Sequence, residues 1–162
     1  SLGHRRIALL NKPYSFFMCN RDDLLNGYIS ALREAGISYQ PTLVREGNFT
    51  FEEGYEKFKI LIAEHPDLTA VVCASDPMTY GTLRAIEDLG FNAEAIQVVA
   101  GDNLTLTQKL FPQLSSITNP SYEQGRQAGK MIVTIINEAR ELPGITLSTE
   151  FVVRNMRPVV PR

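Results

Sequence analysis

The chain has 162 residues, 44% of them hydrophobic and 21% charged, with a formal charge of −2 and a pI near 5.7. This is enough chain for one full core, and it excludes a basic nucleic-acid face, since the densest cationic run is only His4-Arg5-Arg6. No apolar run approaches the roughly 20 residues that span a bilayer, and two cysteines, Cys19 and Cys73, make neither a disulfide framework nor a metal site, so they read as free thiols in a reducing cytosol.

Residues 6–10 form a short apolar run closed by Asn11-Lys12-Pro13, a strand and its turn. Leu24, Leu25, Tyr28, Leu32 and Ala35 then recur at the spacing of one helix face, over residues 21–35, with Gly36 as the stop. Thr42-Leu43-Val44 begins a second strand, which Gly47-Asn48 breaks. A helix follows over residues 51–64, with Thr50 as N-cap and Glu53 completing a capping box. Residues 70–74 are a third strand, 78–89 a third helix closed by Gly90, and 96–100 a fourth strand ended by Gly101-Asp102-Asn103. A short irregular or helical piece reaches Phe111-Pro112. Residues 115–118 form a fifth strand, 121–142 the longest helix, and 150–154 the last strand.

This alternation of apolar strands with amphipathic helices predicts an α/β fold: a doubly wound, mostly parallel sheet with helices on both faces. Ligands bind such sheets beyond the carboxyl ends of the strands. That rule selects four places: residues 11–22, 47–49, 75–76 and 101–103.

At the third strand's end, Pro77 suits the first helical position and Asp76 suits the cap before it, a role worth about 1 kcal/mol. Ser75 and Asp76 also stand where a hydroxylated ligand would lie. Asp102 is explained by turn chemistry or by a ligand's hydroxyls and amines, and Phe49 by satellite packing or by stacking on a ring. No nucleophile and base pair up, neither His4 nor His65 reaches the ligand edge, and no phosphate loop, metal spacing or cofactor motif occurs. The chain therefore reads as a non-enzyme without catalytic residues, metal or cofactor. Gly125 and Gly129, inside the long helix, read as a site of close helix packing.

Several segments taken together resemble the lac-repressor/gal-repressor (LacI/GalR-type) bacterial transcription regulators. They are Gly3-His4-Arg5-Arg6-Ile7-Ala8, Asn26 to Leu32 with Ala35-Gly36-Ile37, Gly47-Asn48-Phe49-Thr50 with Gly54-Tyr55, Asp67 to Asp76 with Gly81 and Ala85-Ile86, Val98 to Asn103, Pro112 to Ile117, and Gly125 with Ala128. They keep the family's order through Arg154.

The resemblance implies a periplasmic-binding-protein-like fold, of which this chain supplies one lobe of a two-lobed clamshell. Residues 1–119 would be the C-terminal lobe, 120–144 a helix belonging to the N-terminal lobe, and 145–162 the return strand and tail. Operator DNA would be read only by a helix-turn-helix domain outside this sequence, in a cytoplasmic protein with no membrane contact. The implied partners are a small-molecule effector, a sugar or related polar metabolite, and a second copy in a homodimer. The effector residues implied are Phe49, Ser75, Asp76, Asp102 and Asn119. Arg21 would stand in for the family's usual Arg on the first helix, whose place is taken here by Leu24. The dimer face implied is Met78, Tyr80 and Leu83. A stripe of Tyr122, Ala128, Met131, Ile132, Ile135, Ile136 and Ala139 on the long helix would cover the other lobe, and without it would pack on a second copy. A solute-binding protein of a transport system shares the two-lobed fold and is the alternative. A doubly wound sugar-phosphate or nucleotide enzyme lacks the groups to act.

Overall fold

The computed structural model describes residues 2–12, 21–92, 95–138 and 141–159, apart from the side chains of Arg21 and Asp22. The apolar runs become β1 (Ile7–Asn11), β2 (Val44–Glu46), β3 (Ala70–Cys73), β4 (Gln97–Asp102), β5 (Ser116–Thr118) and β6 (Phe151–Val152). They form one sheet in the order β2-β1-β3-β4-β5-β6. Every pairing is parallel except β5 with β6, where the chain re-enters from the opposite direction. The helices are α1 (Arg21–Glu34), α2 (Phe51–Glu64), α3 (Asp76–Asp88), α4 (Thr105–Leu110) and α5 (Ser121–Glu138).

β1 shows why the strands carry continuous apolar runs. Ala8 and Leu10 join a buried cluster with Phe58 and Leu61 of α2 and Ile86 of α3. Leu9, between them, is fully buried outside that cluster, on the face that α1 covers. Successive side chains of a strand point to opposite faces, so both faces of the sheet are dry here.

α2 and α3 cross at unusually close range, and two glycines permit it. A Cβ on Gly81 would stand 1.9 Å from the carbonyl oxygen of Phe51, and one on Gly54 would stand 2.1 Å from that of Met78. This is the close helix packing expected of Gly125 and Gly129. Those two have nothing within 4 Å of a Cβ, because α5 projects away from the sheet and its helices. None of its residues is buried, and Tyr122, Ile132, Val133 and Ile136 are exposed by more than half. Ala139 lies outside the described residues.

Several boundaries differ from expectation for local reasons. Pro41 tightens residues 41–43 into a 3-10 turn that drives Leu43 into the core, so β2 starts later, at Val44. The N-cap of α3 is Ser75, whose Oγ accepts from Met78 N at 3.5 Å. Asp76 is thereby the first helical residue and Pro77 the second. Thr50 caps α2 as expected, accepting from Glu53 N at 3.2 Å. The last strand keeps two residues of the expected five. Past it the tail is fastened by side chains: Gln97 donates to Asn155 O and accepts from Arg157 N, and Val159 N bonds to Leu2 O at the other end of the chain. His4 bonds to Arg157 O and His65 to Thr42 O, which gives both histidines structural partners. Burial pushes the Cys73 thiol up to about 11, so it is an inert core thiol, while Cys19 lies outside the described residues.

Candidate functional site

The carboxyl ends of β1, β3, β4 and β5 open on one cleft of about 460 Å³. Lys12 comes from the end of β1, Ala74 from β3, Asp102 from β4, and Thr118 and Asn119 from β5. Leu24 of α1, Gln124 of α5 and Thr149 of the returning chain complete the rim. That volume suits a small organic molecule. A second opening beside the C-terminal tail, about 130 Å³ between Leu83, Val98, Phe111 and Arg157, is too small for one.

Asp102 is the most constrained group in the cleft. Its φ is +89° and that of Asn103 is +53°, in the left-handed region that non-glycine residues seldom occupy. The bend is held from three sides. Gly101 lies so close to Ala74 that a Cβ would stand 2.7 Å from the Ala74 carbonyl. Asn119 N bonds to Asp102 O at 3.2 Å. Arg154, on the returning chain, donates to Asn103 Oδ1 at 2.9 Å and to Leu114 O at 2.6 Å.

The bend turns the Asp102 carboxylate so that Oδ2 accepts from Asp76 N at 3.3 Å. Burial raises its pKa above the ordinary carboxylate value, and the nearby Asp76 carboxylate adds to that. Hydrogen bonds from Asp76 N and the Asn119 side chain, and the charge of Lys12, pull the other way. The result is an acceptor held ready at the cleft and incompletely solvated.

Asp76 and Ser75 do not share this opening. The Asp76 carboxylate is fully buried. Its Oδ2 accepts from Leu104 N at 2.7 Å and from the Thr107 hydroxyl, and so caps α4 from a distance in sequence. The Ser75 hydroxyl is buried too, engaged as the cap of α3. Both side chains are engaged in helix initiation and neither lines this cleft. Phe49, half-buried at φ +59°, sits in the loop after β2 on the same edge of the sheet but is not part of the cleft wall. Arg21 opens α1, and its side chain lies outside the described residues. Of the expected effector residues, then, the structure brings together Asp102 and Asn119. It adds Lys12, Thr118, Gln124 and Thr149. The strand-end rule had already marked Lys12's segment, whereas Gln124 and Thr149 enter only because the chain leaves the sheet and comes back.

Met78, expected at a dimer face, is fully buried within this chain, with its methyl 2.5 Å from where a Gly47 Cβ would stand. Tyr80 and Leu83 remain partly exposed on α3. Tyr80 stacks on Phe111 with ring centres 5.5 Å apart and hydrogen-bonds Thr107 Oγ1 at 2.6 Å. Around them Leu104, at the N-cap of α4, and Leu106 and Leu110 within it are exposed by 46%, 54% and 59%. A helix of six residues with this much bare apolar surface is unusual unless another surface covers it. The short, irregular stretch after Asn103 gave no periodicity from which to foresee it.

No group of acidic, cysteine and histidine residues suited to a metal ion occurs among the described residues. No helix among them is long and apolar enough to cross a membrane.

The family model described as a periplasmic binding protein-like domain matches residues 1–155. The transcriptional repressor CytR of Escherichia coli K12 is 37% identical over 127 residues, 78% of this chain and 37% of that protein. The transcriptional regulator CelR of Thermobifida fusca is 34% identical over 154 residues, 94% of this chain and 45% of that one. The solved CelR–cellobiose complex superposes with a TM-score of 0.84 over 94% of this chain and 46% of its own. The Lac repressor bound to ONPG does so at 0.80, with 27% identity, over 94% of this chain and 46% of its own. The chain thus spans less than half the length of these relatives.

Proposed function

The chain belongs to the periplasmic-binding-protein-like family of LacI/GalR-type transcription regulators, and from that premise we propose that it is the effector-sensing and subunit-pairing part of such a regulator. The observation that carries the proposal is Asp102. A carboxylate on a strained strand end, whose neighbour Asn103 is held by Arg154, and which faces the cleft, is costly to build and adds nothing to the core. Such a group is suited to accept from ligand hydroxyls or amines. Thr118, Asn119, Gln124 and Thr149 supply further donors and acceptors, and Lys12 supplies a cation. A small, polyhydroxylated effector fits this wall.

The cleft is one-sided here. α5 departs from it with an apolar stripe uncovered, so an upstream lobe supplies the facing wall and a seat for α5. Effector bound between the walls favours one lobe orientation, and it shifts the equilibrium only by its differential affinity for the two states. The exposed face of α3 and α4, with Tyr80, Leu83, Leu106 and Leu110, pairs two copies. Operator DNA binding then belongs to a separate upstream module. A cytoplasmic location accords with that role. Relatives named as regulators support this over a transport protein, and they are not enzymes.

The test is a thermal-shift screen of the full-length protein against mono- and disaccharides, cellobiose included, and nucleosides. A sugar or nucleoside is expected to raise the melting temperature, and Asp102→Ala to abolish the rise. A rise that survives Asp102→Ala unchanged, or none across the panel, overturns the assignment.

A further inference from the structure

The Asp102 carboxylate is joined to the exposed α3–α4 face by a continuous run of polar contacts. Asp102 Oδ2 accepts from Asp76 N at 3.3 Å. The side chain of that same Asp76 accepts, through Oδ2, from Leu104 N at 2.7 Å and from the Thr107 hydroxyl. Thr107 Oγ1 is in turn 2.6 Å from Tyr80 Oη, whose ring stacks on Phe111. One residue therefore meets the Asp102 carboxylate with its backbone and holds both anchors of α4 with its own carboxylate.

We propose that Asp76 is a positioning residue: the joint through which the state of Asp102 in the cleft sets the placement of α4, and with it the Tyr80–Leu106–Leu110 surface. This rests on the sensor assignment above and adds a physical route to it.

Three features favour the joint over an ordinary buried cap. The Asp76 carboxylate is wholly buried, so its hydrogen bonds are not exchanged for water. Its second oxygen, Oδ1, is buried with no hydrogen-bond partner, a standing cost borne only while the surroundings hold the group in register. And α4 has no side-chain cap of its own: its N-cap position is Leu104, so the start of that helix depends on Asp76. A ligand that pulls on Asp102 draws on the Asp76 amide, at the first turn of α3. The carboxylate of the same residue moves with it, and α4 follows. Buried carboxylates bind their donors strongly enough for this to be felt.

Being intermediate in space is no proof of coupling, so the test measures coupling itself. In the 162-residue chain, amide exchange of Leu104 and the self-association constant by sedimentation are compared for the parent, Asp102→Ala, Asp76→Asn and the double variant. Asp102→Ala is expected to speed Leu104 exchange about tenfold and to shift self-association several-fold, and both effects should vanish in the Asp76→Asn background. Should Asp76→Asn fail to fold, Thr107→Val replaces it. There the exchange response to Asp102→Ala persists while the association response is lost. Additive effects in the double variant, or unchanged Leu104 exchange in Asp102→Ala, overturn the joint. A chain that stays monomeric while exchange remains coupled upholds the joint and overturns the α3–α4 dimer face instead, so the two failures are told apart.

Discussion

Replacing Gly81 by Ala adds one methyl group at the α2–α3 crossing, with nowhere to put it. Its Cβ would stand 1.9 Å from Phe51 O, 2.9 Å from Phe51 C and 2.7 Å from Tyr55 N. All three are backbone atoms, so no rotamer change relieves the clash. α2 would have to withdraw by about 1.5 Å to restore ordinary contact, lifting Phe58, Leu61 and Ile62 off the sheet. Overpacking of this kind costs about 3 kcal/mol or more, against about 1 kcal/mol gained from the better helix former. The net loss is about 2 kcal/mol, a fall in melting temperature of roughly 4–8 °C for a chain of this size. Circular dichroism during heating, paired with urea titration, reads it directly. Gly27→Ala is the control, since nothing lies within 4 Å of its Cβ in α1, and it should stabilise by about 0.5–1 kcal/mol. If Gly81→Ala melts at or above the parent temperature, the close crossing is not what holds these helices.

Asp102, whose native pKa is raised above 3.8, binds its proton more tightly folded than unfolded. The stability it contributes is fully present below 3.8 and is lost as pH rises through the raised value. Asp102→Asn should remove that slope and gain on the parent as pH rises above 3.8 in urea melts; a pH-independent difference would contradict it. Isothermal titration of this chain alone against the same sugars and nucleosides should find nothing tighter than about millimolar, because one wall of the cleft cannot bury most of a ligand; a micromolar ligand would show that one lobe suffices. Ile132→Lys with Ile136→Lys should weaken self-association of the chain by about 1.5 kcal/mol or more and leave its sheet melting unchanged, since α5 supports none of the core. A monomeric parent with α5 ordered would remove the premise.

Periodicity and punctuation made the sheet legible. Thr50 and Glu53 mark the start of α2 to the residue, and Gly36 at φ +64° ends α1 as a glycine should. Of the four places the strand-end rule selected, two line the cleft, through Lys12 and through Gly101 and Asp102, and residues 47–49 and 75–76 do not. The rule could not separate Asp76 from Asp102. Both are acids following apolar strands, and what distinguishes them is α4, 28 residues on from Asp76, whose bare N-terminus claims one carboxylate and leaves the other to the solvent side. Met78 came to the dimer face only through the resemblance, and its burial was not legible in the sequence because the room for it is made by Gly47 and Gly54, outside α3. The apolar α4 is too short to show a period at all.

Thr118 N bonds to Glu150 O, and Glu150 N bonds back to Thr118 Oγ1, both at 2.8 Å. The outgoing and homecoming threads are thus fastened at the edge of the β5–β6 ladder, at the pair nearest α5. A turn of a few residues grafted across that pair would delete the whole detour and leave an uninterrupted miniature scaffold, its polar strand tips still displayed. Any torque arriving along α5 meets this stitch first, next door to Asn119.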